Sequence, residues 1–292
     1  LAANAAIYYP RQASGWGKNL TTGESLYRGW DYGGRVKLLW DATDSTTLLL
    51  TLDRDMNVPV MYPSGNGSPG YLTGFGGVPG FAAQPAAGYY DSKVTAPPDI
   101  LVHQDGVGFK ITQDFDWARL ISITSYRYTK QSPEQGSLSD NAVNIFNYSI
   151  DEFERTVTQE VQLQSSQDSA LKWITGFFYY NDIGGDNKAQ YTGIIFPNAP
   201  VYNTDIYSDS YAVFGQATAT ILPDTNFTGG LRYTIDERTI YSYWTQGGTP
   251  GYPFTYGNSP NSPQSASWPK LTFRFSLDHQ FTPDIMGYIA YN

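Results

Sequence analysis

Ser208 to Tyr241 reads SDSYAVFGQATATILPDTNFTGGLRYTIDERTIY, and the alternation inside it decides the fold. Before Pro223-Asp224, Tyr211, Val213, Gly215, Ala217, Ala219 and Ile221 share one face of an extended chain, while Gln216, Thr218 and Thr220 share the other. After the turn, Phe227, Leu231, Tyr233 and Ile235 alternate with Thr228, Arg232, Thr234, Asp236 and Arg238. Two long amphipathic arms joined by so tight a connection make a β-hairpin. Strands of soluble proteins average about 5–6 residues, whereas a tilted strand crossing a bilayer takes about 9–11. Arms of this length, apolar on one side and charged on the other, suit a wall between lipid and water.

The same code extends in both directions. Ala3, Ala5, Ile7 and Tyr9 alternate as a first strand. Trp30, Tyr32, Val36, Leu38 and Trp40 oppose Asp31, Arg35, Lys37 and Asp41, with a tryptophan near each end, where an interfacial aromatic belt would place them. Leu48, Leu50 and Leu52 oppose Thr47, Thr51, Asp53 and Asp55. Val157, Val161, Leu163, Leu171, Trp173, Phe177 and Tyr179 oppose Glu154, Thr158, Glu160, Gln162 and Lys172. Near the C-terminus Leu271, Phe273, Phe275 and Leu277 oppose Thr272, Arg274, Ser276 and Asp278.

Connections fall into two alternating sets. Tight ones are predicted near residues 43, 115, 167, 224 and 282, and long ones lie between them. Loop is expected over 57–105, 131–150, 182–205 and 241–268, and a shorter Gly- and Thr-rich loop follows the first strand. The expected fold is all-β: an antiparallel up-and-down transmembrane β-barrel segment of about eleven long strands, with short periplasmic turns and long extracellular loops. An odd strand count suits part of a barrel, as do ends that break off within the strand pattern.

Composition narrows the function. The 292 residues include 24 Tyr, 15 Phe, 7 Trp and 29 Gly but no Cys, which removes disulfides, thiolate metal sites and cysteine nucleophiles. A net charge of −9 disfavours nucleic acid, which requires a basic footprint. No run approaches the ~18 apolar residues of a membrane helix. Mean hydropathy is −0.39, yet alternating faces average out in a barrel, so that value does not exclude one.

Five phrases in order, KNLTTGESL with DYGGRVKLLWDATDSTTLLLTLD, then FDWARLISITSYRY, TVTQEVQLQSS, LKWITGFFYYND and SYAVFGQATATILPDTNFTGGLRYTIDER, resemble the barrel of the TonB-dependent outer-membrane receptors of Gram-negative bacteria. The resemblance implies that 1–292 is part of such a barrel domain, with the plug domain and the C-terminal half of the barrel outside this chain. It also implies a location in the cell outer membrane and active import of a scarce solute, a ferric siderophore first among the candidates. The implied partners are outer-membrane lipid, the receptor's own plug domain, the TonB complex acting through an N-terminal region, and the solute. No cofactor, resident metal or catalysis is implied. Two readings stay open beside it: a secreted all-β carbohydrate-binding or adhesin module, and a passive porin.

Candidate residues follow from chemistry. Loop aromatics Tyr62, Tyr71, Phe75, Phe81, Tyr89, Tyr90, Tyr191, Trp244, Tyr252, Phe254 and Tyr256 can stack on a planar ligand or pack the loops together. Arg35, Lys37, Glu160, Arg232, Asp236, Arg238 and Arg274 are expected on a hydrated inner wall facing the plug. His103 and His279, the two histidines, lie too far apart in the pattern to share a metal. Adjacent carboxylates such as Asp236 and Glu237 point to opposite faces of a strand and do not make a catalytic pair.

Overall fold

The computed structural model describes residues 1–58, 88, 90–94, 99–137, 144, 147–193, 201–246 and 263–292, without the side chains of 133, 134 and 243–246. Its strands are β1 (Ala2–Tyr8), β2 (Arg11–Gln12), β3 (Gly17–Lys18), β4 (Ser25–Leu26), β5 (Gly29–Thr43), β6 (Thr46–Val58) and β7 (Asp99–Asp114). They continue with β8 (Ala118–Ser137), β9 (Asn147–Ser165), β10 (Leu171–Thr192), β11 (Val201–Leu222), β12 (Thr225–Gln246), β13 (Gln264–Thr282) and β14 (Ile285–Tyr291). One antiparallel sheet runs β1-β5-β6-β7-β8-β9-β10-β11-β12-β13-β14, with β2 added on β5; β3 and β4 form a separate two-stranded ribbon. Every long strand pairs with its sequence neighbours, the up-and-down order that hairpins impose.

The five tight turns occur where the sequence signals them. At the 223–224 turn Leu222 pairs with Thr225, so Pro223 and Asp224 alone reverse the chain. Pro223 has its φ fixed by its ring, and Asp224 takes φ 57°, a left-handed conformation that Asp tolerates better than most side chains. At the first turn Thr43 Oγ1 donates to Thr46 Oγ1 at 2.8 Å and Thr46 Oγ1 donates to Gln113 at 2.6 Å, tying the reversal to the next strand.

Residues directly opposite in register share a face, so the apolar rows can be followed across the sheet. Val36 pairs with Leu52, Leu52 with Val107, Val107 with Tyr126 and Tyr126 with Val157. Further along, Phe177 pairs with Val213, Val213 with Tyr233 and Tyr233 with Leu271. No second layer covers this face among the described residues: Val213 is 56% exposed, Leu231 55% and Leu271 60%. Such an expanse far exceeds the few hundred Å² of contiguous apolar surface that soluble monomers tolerate.

Aromatic belts bound the band. Near the tight turns lie Trp40, Phe115, Trp117, Trp173 and Phe281, with the Trp117 ring 6.4 Å from that of Trp173 and 6.5 Å from that of Phe115. On the far side lie Tyr126, Tyr179, Tyr211 and Tyr233, the last three on neighbouring strands with Tyr179 and Tyr211 rings 5.1 Å apart. Within the band Gln159 satisfies its own amide, donating from Nε2 to Ser122 Oγ at 2.9 Å while Thr124 Oγ1 donates to its Oε1. That closed triad leaves these polar atoms paired on an otherwise apolar face.

Strands outrun the sequence expectation at the end opposite the tight turns. Segments read as loop over 182–205 and 131–150 are largely strand, since β10 reaches Thr192, β11 starts at Val201, β8 reaches Ser137 and β9 starts at Asn147. Likewise β12 runs to Gln246 and β13 begins at Gln264, while β6 and β7 extend to Val58 and from Asp99. Above the band both faces meet water, so the apolar/polar alternation that marks a strand in sequence disappears although the backbone ladder continues.

Candidate functional site

The polar face opposite the band is the first candidate surface. Arg35 pairs in register with Asp53 and Lys37 with Thr51. Asp236 stands opposite Trp268, Arg238 opposite Ala266 and Arg274 opposite Gly230. Glu160 lies between Ile123 and Phe178. It accepts from Gln162 Nε2, and Gln162 Oε1 in turn accepts from Gln164 Nε2 at 2.9 Å, a short amide ladder along β9. Asp53 and Arg127 meet at 3.2 Å across the intervening strand, and they can do so because Gly106 lies between them; a Cβ there would sit 2.7 Å from the Asp53 carboxylate.

Arg232 has the most elaborate setting on this face. Its guanidinium carbon is 5.6 Å from the ring centres of both Phe178 and Phe214, and Nε donates to Thr234 Oγ1 at 3.1 Å. Phe214 can lie flat over the sheet because its register partner is Gly176, where a Cβ would come within 2.5 Å of the ring and 2.6 Å of the Val161 carbonyl. The arrangement holds a cation face-on between two rings while leaving guanidinium hydrogens for a further acceptor. Phe178 and Phe214 were not anticipated, because an apolar residue at a polar-face position reads as noise in the alternation.

The second candidate surface is the end remote from the tight turns. There β10 carries an extra residue. Asp186 is opposite Glu152 and Lys188 opposite Asp151 on β9, while on β11 the partners step from Thr204 to Tyr202 as β10 steps from Asp186 to Ala189. This bulge at Asn187 inverts the parity of the strand beyond it. Tyr191, which strict alternation would place with Tyr179 and Ile183, comes instead onto the polar face opposite Tyr148. Tyr202 joins them diagonally through Ala189, and Trp244 is the register partner of Tyr202. Three strands thus gather Tyr148, Tyr191 and Tyr202 on one face. Burial, and then the nearby Tyr191, pushes the Tyr202 hydroxyl above its ordinary pKa. Asp186, opposite Glu152, is likewise held above the usual carboxylate range, by burial first and by the Glu152 charge second.

A third feature at the same end is a clasp between the loop that follows β1 and residues 90–94. Asn19 is fully buried; its amide donates to the Val94 carbonyl at 2.9 Å and its Oδ1 accepts from Thr21 N at 2.9 Å. Ser92 N donates to the Lys18 carbonyl at 3.1 Å, and Leu20 N donates to that of Ser92 at 2.7 Å. Beside it Trp16, Tyr27 and Tyr90 form a three-ring cluster with centroids 5.8–6.1 Å apart, and Tyr27 is held at φ 61°. Tyr90, expected as a loop aromatic, is therefore packed on two other rings and 43% exposed, while Trp16 is 56% exposed.

Placement of the remaining candidates is uneven. Tyr191 and Trp244, expected in loops, lie in β10 and β12. Tyr62, Tyr71, Phe75, Phe81, Tyr89, Tyr252, Phe254 and Tyr256 lie outside the described residues. His103 on β7 and His279 on β13 are six strands apart, roughly 30 Å at strand spacing, and no group of three or more metal-binding side chains occurs among the described residues.

Comparison with known proteins follows from this geometry. No curated protein sequence matches the chain. Solved structures do. The ferric yersiniabactin uptake receptor FyuA from Yersinia pestis superposes with TM-score 0.72 at 14% identity, over 99% of this chain and 41% of that one. The ferric-catecholate import receptor Fiu from E. coli K12 gives 0.66 at 13%, over 99% and 49%, and the copper transporter OprC gives 0.61 at 12%, over 99% and 40%. At these identities the likeness is one of fold, and the chain spans between two fifths and one half of each receptor. The family profile described as TonB dependent receptor-like, beta-barrel matches residues 39–292. A match over that share of the sequence, on a sheet with one bare apolar face between two aromatic belts, means that the chain belongs to the TonB-dependent receptor β-barrel family.

Proposed function

We propose that this chain supplies about half the wall of an outer-membrane receptor of Gram-negative bacteria, which captures a ferric siderophore outside the cell and imports it with energy from TonB. In this reading the apolar band meets lipid, the tight turns face the periplasm and the polar face lines the barrel interior. Arg35, Lys37, Glu160, Arg232, Asp236, Arg238 and Arg274 then hydrogen-bond the plug domain. Import is transport, and no bond of the solute is made or broken by the barrel.

The observation that carries the solute assignment is the aromatic surface at the extracellular end, where Tyr148, Tyr191 and Tyr202 share the inward face. Tyrosine rings stack on flat aromatic or chelate surfaces and offer hydroxyls to their oxygens. A carbohydrate module would use similar rings, but it would not leave the band of Leu38, Leu52, Phe109 and Val213 uncovered in water.

The test is growth of a strain lacking the gene on a panel of ferric chelates, each as sole iron source, beside copper-limited and glycan media. Loss of growth on one chelate is the expected result. Unchanged iron use throughout, with a copper or glycan defect instead, would replace the siderophore by that solute. For the chelate identified, Tyr191→Ala is expected to weaken binding about tenfold, ~1.4 kcal/mol, in a titration of the full-length receptor.

A further inference from the structure

Above the belt of Tyr126, Tyr179, Tyr211 and Tyr233, the outward face turns polar and its charges segregate. On β11 and β12 it bears Asp205, Asp209 and Glu237; on β7, β8 and β9 it bears His103, Lys130 and Arg155. The two carboxylates of this side, Asp105 and Asp151, each have a cation of their own on the neighbouring strand, Arg54 and Lys188. Asp105 meets Arg54 at 3.5 Å, and Asp151 accepts from Ser132 Oγ at 2.7 Å. Lys130 and Arg155 are exposed, and among the described residues neither belongs to an ion pair.

Their register brings them together. Lys130 lies between His103 and Phe153, and Arg155 between Tyr128 and Ile183. Arg155 is therefore the diagonal neighbour of Lys130, with backbones ~7–8 Å apart. Two long cationic side chains close that distance around a single phosphate, the ammonium as a point charge and the guanidinium as a planar fork. Directly below lies the apolar pair Tyr126 and Val157, and beneath the self-paired Thr124–Gln159–Ser122 triad the apolar face resumes at Val161, Leu120 and Leu163.

We propose that Lys130 and Arg155 form a clamp for the phosphate of a phosphorylated lipid in the leaflet that meets the upper rim of the band. The proposal rests on the membrane orientation given under Proposed function. The site is an open face rather than an enclosed cavity, so a free phosphate would meet two hydrated cations and nothing else. A lipid also lays its acyl chains over Tyr126, Val157 and the band beyond the triad, which selects it over the soluble anion. The acidic side on β11 and β12 repels the same headgroup, so the bound lipid occupies one sector of the wall.

The experiment uses the full-length receptor extracted in mild detergent, stripped of lipid and titrated with bis-phosphorylated lipid A, its dephosphorylated form and inorganic phosphate, with bound lipid counted by native mass spectrometry. Retention of the phosphorylated form is expected to fall roughly tenfold or more in Lys130→Gln/Arg155→Gln. It is expected to persist in Lys130→Arg/Arg155→Lys and in Asp209→Asn/Glu237→Gln. Equal retention of the dephosphorylated lipid by the wild type, or full retention by the Gln pair, overturns the clamp. Displacement by millimolar inorganic phosphate reassigns it to a soluble anion and overturns the lipid. Where the Gln pair does not assemble, the wild-type comparison of the two lipid forms still decides. A receptor that stayed in solution without detergent would instead sink the membrane reading itself.

Discussion

At the scale of single residues, the sheet is tuned by what is missing as much as by what is present. Gly176 lets Phe214 lie against the strand, and Phe214 in turn holds Arg232. Gly176→Val drives a side chain into a ring at 2.5 Å and a backbone carbonyl at 2.6 Å, and only the ring can move. It is expected to cost ~1–3 kcal/mol, read as a lower urea midpoint of the refolded full-length protein. Asp186, near the end of β10 remote from the tight turns, gives that end a pH dependence. Its folded-state pKa is raised by burial and by Glu152, so the folded sheet binds its proton more tightly than the unfolded chain does. The associated stability is fully present below the ordinary carboxylate pKa and is lost as pH rises through the folded value. Asp186→Asn is expected to remove that slope, flattening the pH dependence of amide exchange at the top of β10; an unchanged slope would assign it to other groups.

At the scale of elements, the bulge in β10 is the decisive device. One added residue, Asn187, turns the upper strand over, and Tyr191 moves from the outward row to the inward row beside Tyr148. β8 repeats the device at Ser132-Pro133, where its partners on β9 step from Glu152 to Ile150 as β8 steps from Gln131 to Glu134. Proline suits such a position because the ladder is already interrupted there. Because the chain contains no Cys, the inversion can be measured by cross-linking. Tyr148→Cys/Tyr191→Cys is expected to form a disulfide on mild oxidation, since directly paired strand residues approach within the required Cα distance. Gln190→Cys, which an unbulged strand would bring opposite Tyr148→Cys, is expected not to cross-link, whereas deleting Asn187 is expected to leave the 148–191 disulfide intact because the pairs on either side of the bulge then follow one another directly; preferential cross-linking of 148 with 190 would refute the inversion.

At the scale of the whole molecule, stability and orientation come from one asymmetry. A sheet this wide normally buries its apolar face against helices or a second sheet. Here the described residues supply no such layer: of the few buried apolar side chains, Leu26, Tyr27 and Val94 sit in the clasp, and Ile100, Ala118, Val201 and Ala212 are scattered over β7, β8 and β11. The band is stable only where its surroundings are apolar, so lipid takes the place of a core. Belts of Trp near the tight turns and Tyr at the opposite rim fix the height of the sheet in the membrane, and the charges above the Tyr belt then fall at headgroup level. The ladder continues beyond that rim and carries the face of Tyr148, Tyr191 and Tyr202 clear of the band.

The sequence by itself determined the strand periodicity, the five tight turns, the faces of the band residues on most strands other than β7 and β8, and the kinship with TonB-dependent receptors. It could do so because a bilayer imposes a strict period of two wherever one face meets lipid. Only the tertiary structure decided how far the strands run above the band and that Tyr191 turns inward. It alone showed that Phe178 and Phe214 bracket Arg232 and that Lys130 and Arg155 are neighbours. Those facts depend on bulges and cross-strand register, in which one residue more or less reverses a face without leaving any mark on local composition.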